Sequence, residues 1–314
     1  MNPILGTMNI EYPYTSSDNT ITSYKKIIQE YYNKIDDPIL DTAYYYGNTK
    51  TEYILGIILD ELDKKPKIAS KANPWFENDF TTGIQGQLSP DNLEKQLNIS
   101  LKNLKLDNID LYFLHAPDHL TPIKLTLEKC DELWRKEKFN YLGLSNYSKD
   151  QISNIINLSD EFSINKPKYY QGMYNLLARN VEEIFPIIRE NDIEFWAYNP
   201  LAGGLLTGKY KNNSFNDNSR FKNNQIYQNI YCSPNILNSV IEFNNFNNCI
   251  DIAYSWLINY SKLNKKDRII IGVSTDEQLI NNIDTIKKKY NIDNQLLYKL
   301  NNLYNKNYSP NYYY

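Results

Sequence analysis

The sequence predicts an α/β protein, a (β/α)8 TIM barrel, formed by a single domain over residues 1–314. Three observations predict it. Eight short apolar runs recur along the chain, amphipathic stretches separate most of them, and the length suits one barrel. The runs are Ile4 to Met8, Ile39 to Ala43, Lys67 to Lys71, Ile109 to Leu114, Tyr141 to Ser145, Tyr169 to Met173, Ile193 to Tyr198 and Arg268 to Val273. Each is brief and lacks clean polar alternation, as expected of a strand buried on both faces. Ser23 to Tyr32, Asp91 to Leu104, Val181 to Arg189 and Asn248 to Tyr260 have helical spacing. Ser89-Pro90-Asp91 reads as the start of the second. An open doubly wound sheet is the alternative. Against it, no G-x-G-x-x-G turn follows the first strand.

The connection between the seventh and eighth strands is long, and Leu201 to Cys232 is rich in Gly, Asn and Lys. Loops of that length are uncommon in a compact domain and are usually functional or disordered. The Asn tract Asn244 to Asn248 reads as a solvated turn.

Basic and acidic residues number 34 and 37, a formal charge of -3, with no basic block to suit nucleic acid or a membrane surface. Cys130, Cys232 and Cys249 are odd in number and far apart, which suits free thiols and no metal. The N-terminal MNPILGTMN lacks a signal-peptide pattern, so cytoplasm is the expected address. The 28 tyrosines against 11 phenylalanines read as compositional bias.

In a barrel, reactive groups sit at the C-terminal ends of strands. Asp41 and Tyr46 follow strand two, Lys71 closes strand three, and His115 follows strand four. Ser145 and Asn146 follow strand five, Gln171 lies on strand six, and Tyr198 and Asn199 follow strand seven. A free phenol has a pKa of about 10, and a neighbouring ammonium stabilises its anion. An Asp paired with the Lys keeps it charged, and a His can orient a carbonyl oxygen. Such a set protonates a developing alkoxide while hydride arrives from a nicotinamide. Each residue alone has a plainer role: a turn Asp, a packing Tyr, a solvated Lys, a structural His. His119 is expected to be structural.

The order and register of these residues resemble the aldo-keto reductase superfamily. DTAYYYG, IASKANPWF and DLYFLHAPD carry the resemblance, as do LGTM, LGLSNY, YQGMYN and NPLAGGLLTGKY. The chain is most similar to the aflatoxin-aldehyde and succinic-semialdehyde reductase branch. The resemblance implies Asp41, Tyr46, Lys71 and His115 as a catalytic tetrad and NADPH as cofactor. Ser145, Asn146 and Gln171 would bond the nicotinamide carboxamide, and Tyr198 would stack on the ring. A loop at about 200–235 would cover the cofactor, with Asn199, Pro200, Leu201, Gly203, Gly204, Leu205, Gly208, Lys209 and Arg220 near its phosphates. Gly272, Ser274, Thr275, Gln278 and Asn282 would meet the adenosine end, Ser274 capping the helix there. His115, Trp75, Phe76, Met173, Tyr227 and Tyr231 are candidate substrate contacts. The branch expectation is a homodimer.

The sequence departs from that branch where its arginines would meet a carboxylate: Gln228, Ile230 and Tyr314 stand there instead. This implies neutral, aromatic or dicarbonyl aldehydes in preference to succinic semialdehyde. A nicotinamide-binding regulatory subunit, similar to the potassium-channel β subunits, is the second functional reading.

Overall fold

The computed structural model describes residues 1–11, 18–76, 85–210, 221, 225–288 and 290–304. Eight parallel strands close in sequence order into a barrel. They are β1 (Ile4–Gly6), β2 (Ile39–Asp41), β3 (Lys67–Ala72), β4 (Ile109–Leu114), β5 (Phe139–Ser145), β6 (Tyr169–Met173), β7 (Glu194–Tyr198) and β8 (Arg268–Gly272). The β1–β8 ladder, pairing Leu5 with Ile271, completes the circle. Closure rules out the open sheet.

Around the sheet run α1 (Asp18–Lys34), α2 (Lys50–Asp60), α3 (Pro90–Leu104), α4 (Ile123–Arg135), α5 (Lys149–Phe162) and α6 (Phe185–Glu190). Within the β7–β8 connection lie α7 (Gln225–Tyr231), α8 (Pro234–Asn244) and α9 (Cys249–Ser255), and after β8 come α10 (Asp276–Lys287) and α11 (Asn294–Asn302). Among the described residues no helix is long and apolar enough to cross a membrane.

The strand pleat decides which side chains face the barrel axis. Ile39, Ala69, Leu111, Phe113, Trp196 and Ile270 pack together inside, with Tyr169 and Tyr198 against them. Two residues along, the same faces carry Asp41 on β2, Lys71 on β3 and Gln171 on β6. The polar residues therefore form the layer above an aromatic plug, in which Phe113 and Trp196 lie 5.5 Å apart. Gly143 makes room for that plug: a Cβ there would stand 2.3 Å from the Phe113 ring. Truncating Trp196 to Ala would cost about 3–5 kcal/mol.

Two helical expectations are refined. Val181 to Arg189 is split, with a 3-10 turn at Asn180–Ile184 leading into α6. Pro186 has no N–H to donate, which suits the first turn of a helix better than its interior. The stretch to Tyr260 begins as α9 and ends as a π turn, Trp256–Tyr260. Chain begins α3 at Pro90 with Ser89 at the N-cap, although the Ser89 hydroxyl makes no capping bond.

Candidate active site

Asp41 and Lys71 are almost wholly buried, at 3% and 1% exposure. Lys71 Nζ donates to Asp41 Oδ1 and Oδ2 at 2.8 Å each, to the Thr42 carbonyl at 2.7 Å and to Tyr46 Oη at 3.4 Å. Burial pushes the ammonium below its ordinary pKa, and the Asp41 carboxylate opposes that fall. The Asp41 carbonyl is itself fixed, accepting from the Thr7 N–H and hydroxyl at 2.9 Å each.

Tyr46 reaches this pair because the chain reverses tightly after it. Gly47, Asn48 and Thr49 all have positive φ, 59°, 51° and 69°, before α2 begins. The turn is anchored by Tyr44 N–H on the Lys71 carbonyl at 3.2 Å and Tyr46 N–H on the Ala43 carbonyl at 3.1 Å. The Tyr46 ring meets His115 edge-on at 5.9 Å, and Trp75 flanks His115 at 5.7 Å.

Burial, with a smaller contribution from Lys71, lowers the His115 pKa to about 3. The imidazole is therefore neutral near pH 7. Its Nδ1 is buried without a hydrogen-bond partner. A buried lone pair costs less than a buried unmet N–H, so the proton belongs on Nε2. That tautomer is a donor.

Asn146, at φ 63°, donates from Nδ2 to the His115 carbonyl at 3.0 Å and to Ser145 Oγ at 3.1 Å. Its Oδ1 accepts from the Tyr198 hydroxyl at 2.7 Å, which fixes that ring. Gln171 Nε2 donates to Asp41 Oδ1 at 2.6 Å.

The loop after β7 turns through a run of left-handed residues: Asn199, Ala202, Gly203, Gly204 and Gly208. A Cβ on Gly203 would lie 2.7 Å from the Tyr227 ring, whereas one on Gly204 would meet nothing within 4 Å. Gly204 is half-buried but borders open space on its Cβ side, the condition for close approach by a phosphate.

The family model for the aldo/keto reductase family matches residues 4–297. The chain belongs to the aldo/keto reductase family. It is 37% identical over 268 residues to human aflatoxin B1 aldehyde reductase member 4, covering 78% of each chain. It is 38% identical over 266 residues to mouse aflatoxin B1 aldehyde reductase member 2, covering 78% of this chain and 70% of the relative. The fold is also that of a glycerol dehydrogenase from Gluconobacter oxydans, at TM-score 0.73 and 22% identity, over 96% of this chain and 90% of that one. The chain is therefore an oxidoreductase of a family that uses nicotinamide cofactors, and its substrate is a small molecule.

For an aldo/keto reductase, the structure gathers most of the expected positions and redirects several. Ser145 and Gln171 are buried beside Asn146 and Asp41. Pro200 and Leu205 are buried, Leu201 is half-buried, and Lys209 is exposed. Thr275, not Ser274, caps α10, its hydroxyl accepting from Gln278 N–H at 3.1 Å. The reason is the Gln278 side chain, which accepts from Ser274 N–H at 2.9 Å and fixes Ser274 one residue too early. Gly272 and Ser274 are exposed, and Asn282 is buried at 9% exposure. Arg220 and Tyr314 lie outside the described residues.

Of the expected substrate contacts, Trp75 lies against His115, and Phe76 beside it is exposed. Tyr227 and Tyr231 instead belong to the core under the loop after β7, stacked 6.2 Å apart. The Tyr231 hydroxyl donates to Met173 Sδ at 3.0 Å, and Tyr227 donates to Asn199 Oδ1 at 3.3 Å. They support the loop rather than line an open pocket. Gln228 donates to the Phe221 carbonyl at 2.7 Å, and Ile230 packs on the core. His119 contributes its backbone N–H to Gln85 Oε1 at 2.6 Å.

Asn244, expected in a solvated turn, is fully buried. Its Nδ2 donates to the Leu205 carbonyl at 2.8 Å, and its Oδ1 accepts from Tyr210 N–H at 3.2 Å. One side chain thus holds both ends of the Leu205–Tyr210 stretch. Its place in an Asn tract gave no signal of this.

Proposed function

We propose that the chain is an NADPH-dependent aldehyde reductase in which Tyr46 gives the proton. The observation that carries this reading is the position of Lys71 Nζ, bonded to both Asp41 oxygens and 3.4 Å from Tyr46 Oη. A bound nicotinamide supplies the hydride. Neutral His115 donates from Nε2 to the carbonyl oxygen and orients it. Tyr46 delivers its proton to that oxygen as negative charge develops, and Lys71 stabilises the phenolate left behind. Because Asp41 compensates the Lys71 charge, the pair adds little net charge to the site.

Gln171, Ser145 and the ring of Tyr198 would hold the nicotinamide. The open space beside the Gly204 backbone suits a pyrophosphate, and the N-terminus of α10, with Thr275 and Gln278, suits a 2'-phosphate. Cys130, Cys232 and Cys249 form no disulfide among the described residues, which suits a reducing cytoplasm.

The substrates we assign are neutral, aromatic or dicarbonyl aldehydes. The His115 ring lies against the rings of Tyr46 and Trp75, the imidazole is neutral, and Lys71 is bound to Asp41. Nothing in that set favours a carboxylate. An NADPH-oxidation screen across charged, neutral and aromatic aldehydes and dicarbonyls tests both parts. Neutral and aromatic aldehydes should show the higher kcat/KM. A KM for succinic semialdehyde as low as for its uncharged analogues would refute the substrate assignment, and no turnover with any carbonyl would refute the reductase.

A further inference from the structure

Lys71 has more acceptors than protons. An ammonium carries three N–H groups, and four oxygens surround this one: Asp41 Oδ1 and Oδ2, Thr42 O and Tyr46 Oη. Tyr46 Oη is the most distant, at 3.4 Å, so it is the first to lose its share. Gln171 changes the count. Its side chain, 2% exposed, crosses the barrel from β6 and donates to Asp41 Oδ1 at 2.6 Å. The amide nitrogen must be the atom facing Asp41, since the amide oxygen would oppose another acceptor.

We propose that Gln171 is a positioning residue for the proton donor: by donating to Asp41 Oδ1 it releases the third N–H of Lys71 to Tyr46. The inference rests on Tyr46 being the acid. It gives Gln171 a task beyond holding the cofactor carboxamide. The amide has a second N–H and its carbonyl oxygen for that contact, so one side chain can join cofactor occupancy to readiness of the acid.

The test needs no cofactor. Tyrosinate absorbance is titrated from pH 7 to 12 in the nucleotide-free protein, with and without Tyr46→Phe, and the difference isolates Tyr46. Among the described residues, the ionisable groups facing the Tyr46–Lys71 pair are Asp41 from β2, Glu52 from α2 and His115 after β4. Of these, Glu52 and His115 have finished titrating by pH 9, with pKa values of about 7 and about 3.

Gln171→Met, similar in length but without a donor, should raise the Tyr46 midpoint by about one pH unit. Gln171→Asn, too short to reach Asp41, should do the same. With a saturating nucleotide, the alkaline limb of kcat should move by the same amount. An unchanged Tyr46 midpoint in either folded variant, with only the nucleotide Kd raised, would overturn the proposal. Failure of the wild-type protein to reduce any aldehyde would instead remove the reductase reading, while the titration would still decide what Gln171 does.

Discussion

Two buried carboxylates, each paired with a cation, stand at opposite ends of the barrel. At the N-terminal end, Asp267 accepts from Arg189 Nη1 and Nη2 at 2.8 and 2.5 Å, from Phe195 N–H at 3.0 Å and from Asn264 N–H at 2.7 Å. Its four good acceptor directions are filled, and Arg189 meets it with a planar fork. At the C-terminal end, Asp41 meets a Lys, whose ammonium reaches one oxygen further, toward Tyr46. The filled pair ties α6, β7 and the approach to β8 together. The oversubscribed pair keeps an interaction that can strengthen when a phenol loses its proton. Both carboxylates are buried, so the hydrogen-bond count around each, together with the burial of its cation, is what separates the two pairs.

Removing the cation from each pair should separate the two roles. Lys71→Met leaves Asp41 buried without its counter-ion. Stability should fall by about 3–5 kcal/mol, and turnover by about 10²–10⁴-fold. Arg189→Met leaves Asp267 with two backbone donors, so stability should fall by about 2 kcal/mol with kcat unchanged. Denaturant midpoints and aldehyde turnover measure both. An equal loss of kcat in Arg189→Met would erase the distinction.

A third buried carboxyl sharpens the contrast. Glu52 on α2 is fully buried, accepts from Ser70 Oγ at 2.5 Å, and its Oε2 has no partner. Burial pushes its pKa up to about 7. The unfolded chain holds it near 4.5, so the folded state favours the protonated form. Stability from this group is complete below pH 4.5 and is lost as pH rises through 7, by up to about 3 kcal/mol. Glu52→Gln should flatten the stability profile between those limits. An unchanged slope in thermal unfolding from pH 5 to 8 would contradict that.

The smallest effect concerns the nucleotide. Asp276, in the first turn of α10, pairs with Lys26 at 2.6 Å on the exposed surface. Asp276→Asn removes a like charge from the place assigned to a 2'-phosphate. The KM for NADPH should fall about two- to threefold with that for NADH unchanged. Equal shifts for both nucleotides would move the phosphate elsewhere.

The strands, and the gathering of Asp41, Lys71 and His115 at their ends, were legible because both follow from position. Short Ile- and Leu-rich runs mark buried parallel strands, and Asp41, Lys71 and His115 stand where those runs end. Residues whose role comes from tertiary contact were not legible. Asn244 looks like its neighbours in the Asn tract until Leu205 and Tyr210 fold over it. Glu52 reads as a surface residue of KTEYILGIILD, and only packing against β3 and α3 buries it. That helix also buries Thr51, Leu55, Gly56, Ile58 and Leu59, so its apolar face is too broad for a clear helical period. Tyr227 and Tyr231 carry the same aromatic signal whether they line a pocket or support a loop. The close packing of the Tyr227 ring on Gly203, where a Cβ would not fit, shows which.

The proton donor itself is tested most directly by Tyr46→Phe, which removes one hydroxyl and leaves the Lys71–Asp41 pair in place. NADPH binding by fluorescence titration and turnover of a neutral aromatic aldehyde are measured on the same preparation. The nucleotide Kd should stay within about twofold of wild type, and turnover should fall by about 10²–10⁴-fold. Turnover equal to that of the wild-type protein would contradict it.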